Sequence, residues 1–215
     1  MGSIARSAAN NITTSGVFTS SAITNSSVTG ITVLANASDG ITLISSQTAS
    51  NSASISFTSG IDSTYKAYKF VFTSIHPRTD SANFTFNLST DSGSNYNVTK
   101  TTTFFIGSHG EDDAGVEFAY ITSWDLAQST GEQFIATDIG NGADESSSGT
   151  LTLFNPSSTT YVKHFICNSN WYRTDNISFN GYMAGYGNTT SAINAIRFKM
   201  SSGNFDGTIS LYGIK

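Results

Sequence analysis

The densest grouping of chemistry-capable side chains is Gly107–Gly115, GSHGEDDAG, where His109 precedes three consecutive carboxylates, Glu111, Asp112 and Asp113. A transition-metal site needs two or three ligands in fixed geometry. His109 has no second histidine near it, since His76 and His164 lie far along the chain. Calcium takes oxygen ligands at alternating positions of a tight loop, whereas consecutive residues send their side chains apart. The stretch therefore reads as a solvated acidic connection between strands with no metal. Glu111, Asp112 and Asp113 are the residues that would hold a calcium ion if one bound.

Covalent and acid–base chemistry find equally little to work with. There is no G-x-S-x-G elbow, and abundant serine makes an imagined Ser–His–Asp set uninformative. Asp112, Glu117, Asp125, Asp138, Asp144 and Glu145 could each serve a glycosidase, but that reaction needs two carboxylates facing one cleft, and nothing in the spacing selects a pair. The expectation is a protein that is not an enzyme and uses no cofactor.

A binding chemistry is better represented. Residues 168–190, NSNWYRTDNISFNGYMAGYGNTT, hold Trp171, Tyr172, Tyr182 and Tyr186 among asparagines, Arg173 and Asp175. Rings can stack on sugar faces while Asn, Asp and Arg hydrogen-bond hydroxyls, as a shallow saccharide platform would. The competing reading is that alternate rings of a strand fill the core. His164, in YVKHFIC, falls opposite Phe165 and Cys167 and reads as a strand-surface or interface histidine; Cys167, the single cysteine, reads as a small buried apolar residue.

The elements that would position these groups are strands. SISFTS, AYKFVFTSI and NFTFNLST alternate apolar and polar residues, with Phe84, Phe86 and Leu88 on one face. VTKTTTFFI, VEFAYIT, EQFIATDI, GTLTLFN, YVKHFIC, ISFNGYMAGY, AIRFKM and GTISLYGI follow, parted by Gly, Asn, Asp and Ser. Roughly nine to eleven short strands result, and SWDLAQSTGEQ offers at most one or two helical turns. Fifteen Phe and nine Tyr against two Pro suit pleated, half-buried surfaces. The fold class is all-β: an antiparallel β-sandwich, with jelly roll the leading candidate, over residues 51–215.

Residues 1–50 differ. Apart from Phe18 they hold no aromatic ring, and their apolar residues come in ones, twos and threes: Val17, Phe18, Ile23, Val28, Ile31, Val33 and Leu34 among them. Such a segment buries too little surface to offset chain entropy alone. It reads as an extended N-terminal attachment and assembly arm that orders against a partner.

Only 12% of residues are charged, against about 25% in an ordinary domain, and the net charge is −5. Ten scattered basic residues make no stripe for nucleic acid. Apolar runs such as KFVF and TFFI fall far short of the ~20 residues a membrane span needs. MGSIARSAANNITT lacks the apolar core of a secretion signal.

At EDDAG, WDLAQST, NGADESSSGTLTLFNPSSTTYVKHF and INAIRFKMSSGNFDGTISLYGI the chain resembles a recurrent group of small virion-associated proteins of tailed bacteriophages, abundant among phages of marine bacteria such as cyanophages. The pieces include Glu111–Asp113, Asp125–Thr130, Gly142–Ser146, Leu153–Thr160, Lys163–Phe165 and Ser202–Asn204, in the half of the chain from near residue 104 onward. The resemblance implies assembly in a host cytoplasm, which the missing secretion signal suits, and a place on the exterior of a phage particle, as a tail or head fibre component or a capsid decoration protein; it supplies no catalytic residues. Its expected partners are sister copies, most often three, other capsid or tail proteins, and a host-surface glycan in the case of a receptor module.

Overall fold

The computed structural model describes residues 40–215. The strands are β1 (Ile41–Ser52), β2 (Ile55–Phe57), β3 (Ala67–Pro77), β4 (Ala82–Ser89), β5 (Lys100–Gly110), β6 (Glu117–Tyr120), β7 (Gln133–Ile139), β8 (Ser147–Phe154), β9 (Lys163–Arg173), β10 (Ile177–Gly187), β11 (Ala195–Met200) and β12 (Phe205–Ile214). Among the described residues the one helical piece is a 3-10 turn, Thr122–Trp124, and no helix is long and apolar enough to cross a membrane. The arm residues Val17, Phe18, Ile23, Val28, Ile31, Val33 and Leu34 lie outside the described residues.

The pairings nest. β1 pairs with β12, β2 with β11, β3 with β8 and β4 with β7, all antiparallel. β12 also joins β3, and β11 joins β4. The outcome is two four-stranded layers, β1-β12-β3-β8 and β2-β11-β4-β7, which is the connectivity of a jelly roll. Two hairpins extend the first layer: β9 pairs with β8 and β10, β5 with β10 and β6. That layer has eight strands, β1-β12-β3-β8-β9-β10-β5-β6. A bridge between Ile139 and Arg173 ties β7 to β9 on one side, and Gln47 donates to the Ser56 carbonyl where β1 turns into β2 on the other.

The division expected at residue 50 cuts through β1. Residues 41–50 belong to the sheet because Ile41, Leu43, Gln47 and Ala49 sit in register with β12. Gln47 and Ala49 keep the two-residue period, but a register shift between Leu43 and Ser45 breaks it just upstream, so the strand looks irregular in sequence.

Alternation sends one set of aromatics into the space between the layers. Phe84, Phe86 and Leu88 of β4 are fully buried together, as the period predicts, and meet Phe70 and Phe72 of β3 and Phe198 of β11. Gly207 is needed where β12 bulges against β3: its φ is +130°, and a Cβ there would lie 2.7 Å from the Ser74 carbonyl oxygen.

Candidate functional site

The acidic stretch is the turn that leaves β5. The Gly110 amide donates to the Ala114 carbonyl at 2.7 Å, and Asp112 Oδ1 accepts from the Ala114 amide at 3.0 Å. Asp113 stands in the left-handed region at φ +64° and lies 3.2 Å from His109 Nε2, with both side chains exposed. The three carboxylates diverge. Among the described residues no group of three His, Cys, Asp or Glu side chains is placed to hold a metal ion. The glycosidase candidates are equally dispersed: Tyr120 donates to Asp125, Ser81 to Asp138, and the Gly142 amide to Glu145.

Tertiary pairing brings this turn to the tip of the β9–β10 hairpin, a proximity not visible in sequence. The Glu111 amide donates to the Asn176 carbonyl at 3.1 Å. Glu111, Asp112, Asp175 and Asn176 rim a depression of about 290 Å³. Asp175 is ion-paired to Arg173, whose guanidinium holds the Asp175 carboxyl below the usual carboxylate range. Arg173 also lies 4.8 Å over the Phe179 ring. Partial burial and the Glu111 carboxylate push the Tyr172 phenol up, and that phenol reaches Asn176 Oδ1 at 3.2 Å. Arg173 and Asp175 therefore satisfy one another and are not set beside Tyr182 and Tyr186 on a shared platform.

Trp171 requires a correction. It is 1% exposed, stacked on Phe179 at 5.3 Å between centroids and tilted against Trp124 at 6.4 Å. The register of β9 is the cause: Phe165, Cys167, Ser169 and Trp171 face inward, while His164, Ile166, Asn168, Asn170 and Tyr172 face out. Burial pushes the Cys167 thiol up, leaving it a protonated apolar group. His164 is exposed and meets Tyr186 edge-on at 6.1 Å.

Tyr182 and Tyr186 do reach the outer face, and their neighbours are not those of the linear stretch. In the ladder, Tyr182 stands between Asn168 of β9 and Phe105 of β5, and Phe105 pairs with Tyr120 of β6. The Phe105 and Tyr120 rings are 5.0 Å apart at their centroids. Phe105, Phe118 and Tyr182 enclose a depression of about 390 Å³. Beside it run polar side chains in a line: Asn168 Nδ2 donates to Asn180 Oδ1 at 3.1 Å, and Asn180 Nδ2 to the Tyr182 hydroxyl at 2.7 Å.

This corner is part of a larger pattern. The large hydrophobic side chains that remain exposed include Leu43, Phe105, Phe118, Ile166 and Tyr182, with Phe118 at 79%. Among the described residues every one of them lies on the eight-stranded layer or on a connection between its strands, and none on β2, β4, β7 or β11. The face carries rings at one end and Ser, Thr and Asn through the middle. Phe105 and Phe118 escaped the sequence reading, though the doublet Phe104–Phe105 held the signal: adjacent residues of one strand cannot both face the core. Phe104 is fully buried and Phe105 is not.

Compared with protein families, characterised proteins and solved structures, the chain matches none of them.

Proposed function

We propose that this chain is a non-enzymatic structural protein on the exterior of a tailed-phage virion, a fibre component of tail or head. It docks through its N-terminal segment, exposes the jelly roll and associates with sister copies, three being the expected number. One observation carries the reading: among the described residues the large exposed apolar side chains lie on the eight-stranded layer or its connections, and none on the layer of β2, β11, β4 and β7. Contiguous exposed apolar surface marks association, and the carboxylates that could do chemistry are tied into separate turns. The likeness of EDDAG, WDLAQST and SSGNFDGTISLYGI to phage particle proteins supports the same reading. Deleting residues 1–38, which leaves β1 in place, should keep the thermal midpoint of the body and reduce its incorporation into particles to background. Undiminished incorporation would remove the arm's role. High copy number on particles, measured by quantitative mass spectrometry, would instead indicate capsid decoration.

A saccharide-binding reading is favoured by the amide and hydroxyl chain of Asn168, Asn180 and Tyr182 beside the rings of Phe105 and Phe118. Were this the function, glycan arrays would register binding by the intact protein, and Tyr182→Ala would abolish it without lowering thermal stability. Trp171→Ala would not report on the site, because that ring is in the core. Arrays blank for host-envelope glycans would dispose of it.

A further inference from the structure

We infer that the outer face of the eight-stranded layer is the contact with a second copy of this chain; this rests on the assembling role proposed above and names the partner of that face. The first argument is size. The seven strands from β1 to β5, about 4.8 Å apart, span ~29 Å, and their seven to eleven paired residues at ~3.3 Å each span ~23–36 Å, giving roughly 650–1,050 Å² before the short β6 is added. A stable protein–protein interface takes about 800 Å² per partner. One subunit therefore offers the required area on one side.

The second argument is charge. A copy meeting a copy brings like groups together, so the face must be free of a one-sign field. One row runs from Leu43 through Lys69 and Ile166 to Thr103, and the next from Ser46 through Asn168 and Tyr182 to Tyr120. Lys69 is the one formally charged side chain in either row, in a protein whose net charge is −5. The acidic residues sit elsewhere: Glu111, Asp112 and Asp113 on the turn past β5, Asp175 at the hairpin tip, Asp206 paired with Arg78.

Relief is the third. Phe118 projects from the β6 edge, exposed at 79%, while the β1–β12 edge carries the exposed Ile41 and Leu43 beside Ser46 against Ser210 and Thr48 against Thr208. Two depressions of about 420 and 520 Å³ flank His164 on the same face. Turning one copy relative to another brings the rings of the β6 edge over the apolar Ile41 and Leu43 edge of its neighbour, apolar on apolar as an interface core requires.

Sedimentation velocity and light scattering on the full chain test this, comparing wild type with Phe105→Glu/Tyr182→Glu on one row and Ile166→Lys on the other. Wild type should show a whole-number multiple of the chain mass. Each variant should weaken association by roughly tenfold or more, as burial of an unpaired charge demands. Circular dichroism and thermal melts should match wild type after allowing for lost association, because the replaced side chains are exposed. A monomeric wild type, or an oligomer indifferent to both variants, overturns the inference. If wild type is monomeric but the variants fail to enter particles, the face binds another virion protein: the inference falls and the virion role stands. If wild type is monomeric and binds glycan through Tyr182, both fall. An oligomer broken by the variants yet absent from particles keeps the inference and removes the virion role.

Discussion

Replacing Phe198 by alanine is expected to cost about 3–5 kcal/mol of folding stability. Its ring is fully buried at the point where the two layers meet. Phe70 and Phe72 approach from the front layer at 5.4 and 5.2 Å between centroids, and Phe84 from its own layer at 6.0 Å, with Phe57 and Phe86 at 6.4 and 6.5 Å. Removing it loses the transfer term of a large ring and opens a cavity whose walls are other rings. Apart from Phe57 on the edge strand β2, those walls belong to strands held by ladder bonds on both edges, so collapse into the space is restricted. Whole-domain stabilities are about 5–15 kcal/mol, so the loss is a large fraction of the total. The urea midpoint should fall with little change in slope, and the melting temperature by about 10 °C. A loss under about 1 kcal/mol would mean that the aromatic cluster does not lock the layers together.

What the sequence reveals of such a core follows from how local its determinants are. The alternation of NFTFNLST is a property of eight consecutive residues, and it correctly sends Phe84, Phe86 and Leu88 to one side. The same regularity combined with turn residues gives a run of short strands and so an all-β sandwich, while the jelly-roll order itself rests on pairings between strands far apart in sequence. β1 failed locally, because its register shift after Leu43 turns Ile41 and Leu43 outward while Gln47 and Ala49, of the same parity, turn inward, which erases the period. The site was less legible for a different reason. The Phe105–Tyr182–Phe118 corner joins three strands from two separate hairpins, and cross-strand register is not written in any one of them. Trp171 illustrates the limit from the other side: a ring among polar residues resembles a platform until the strand's parity is fixed, and that parity depends on Cys167 and Phe165 facing in. The pairing of GEDDAG with Asp175–Asn176 likewise needed β5 and β10 to be neighbours.

Raising the pH from about 7.5 to 9.5 should stabilise this protein relative to its Lys100→Met variant. Lys100 is fully buried on β5, its ammonium donating to Asn87 Oδ1 and to the Val98 carbonyl. Burial pushes it down from the ordinary 10.5 to about 8, against the weaker opposing pull of Glu132. Below pH 8 the folded and unfolded chains both hold the proton, and the folded state bears the full cost of a buried charge. Between about 8 and 10.5 the folded state has released it while the unfolded chain keeps it. The unfolded state then binds more protons, so stability rises with pH. The displacement corresponds to on the order of 3 kcal/mol when complete. Burial also lowers Lys163, with the same sign, so wild type alone would not isolate Lys100. Two groups act in the opposite direction: Cys167, whose buried thiol keeps its proton while the unfolded thiol ionises near pH 9, and Tyr68, raised by its burial, whose unfolded phenol ionises first near pH 10. Both are unchanged in Lys100→Met and cancel in the comparison, and the window stops at 9.5. Methionine keeps the apolar stem and leaves Asn87 Oδ1 still accepting from the Leu88 amide at 2.9 Å. Replacing a buried charge by an apolar group of similar volume is often neutral or stabilising, so Lys100→Met should be at least as stable as wild type at pH 7.5. Urea midpoints of both proteins at pH 7.5, 8.5 and 9.5 decide it: a difference between wild type and variant that does not move in favour of wild type over this range would show that Lys100 does not shed its proton in the core.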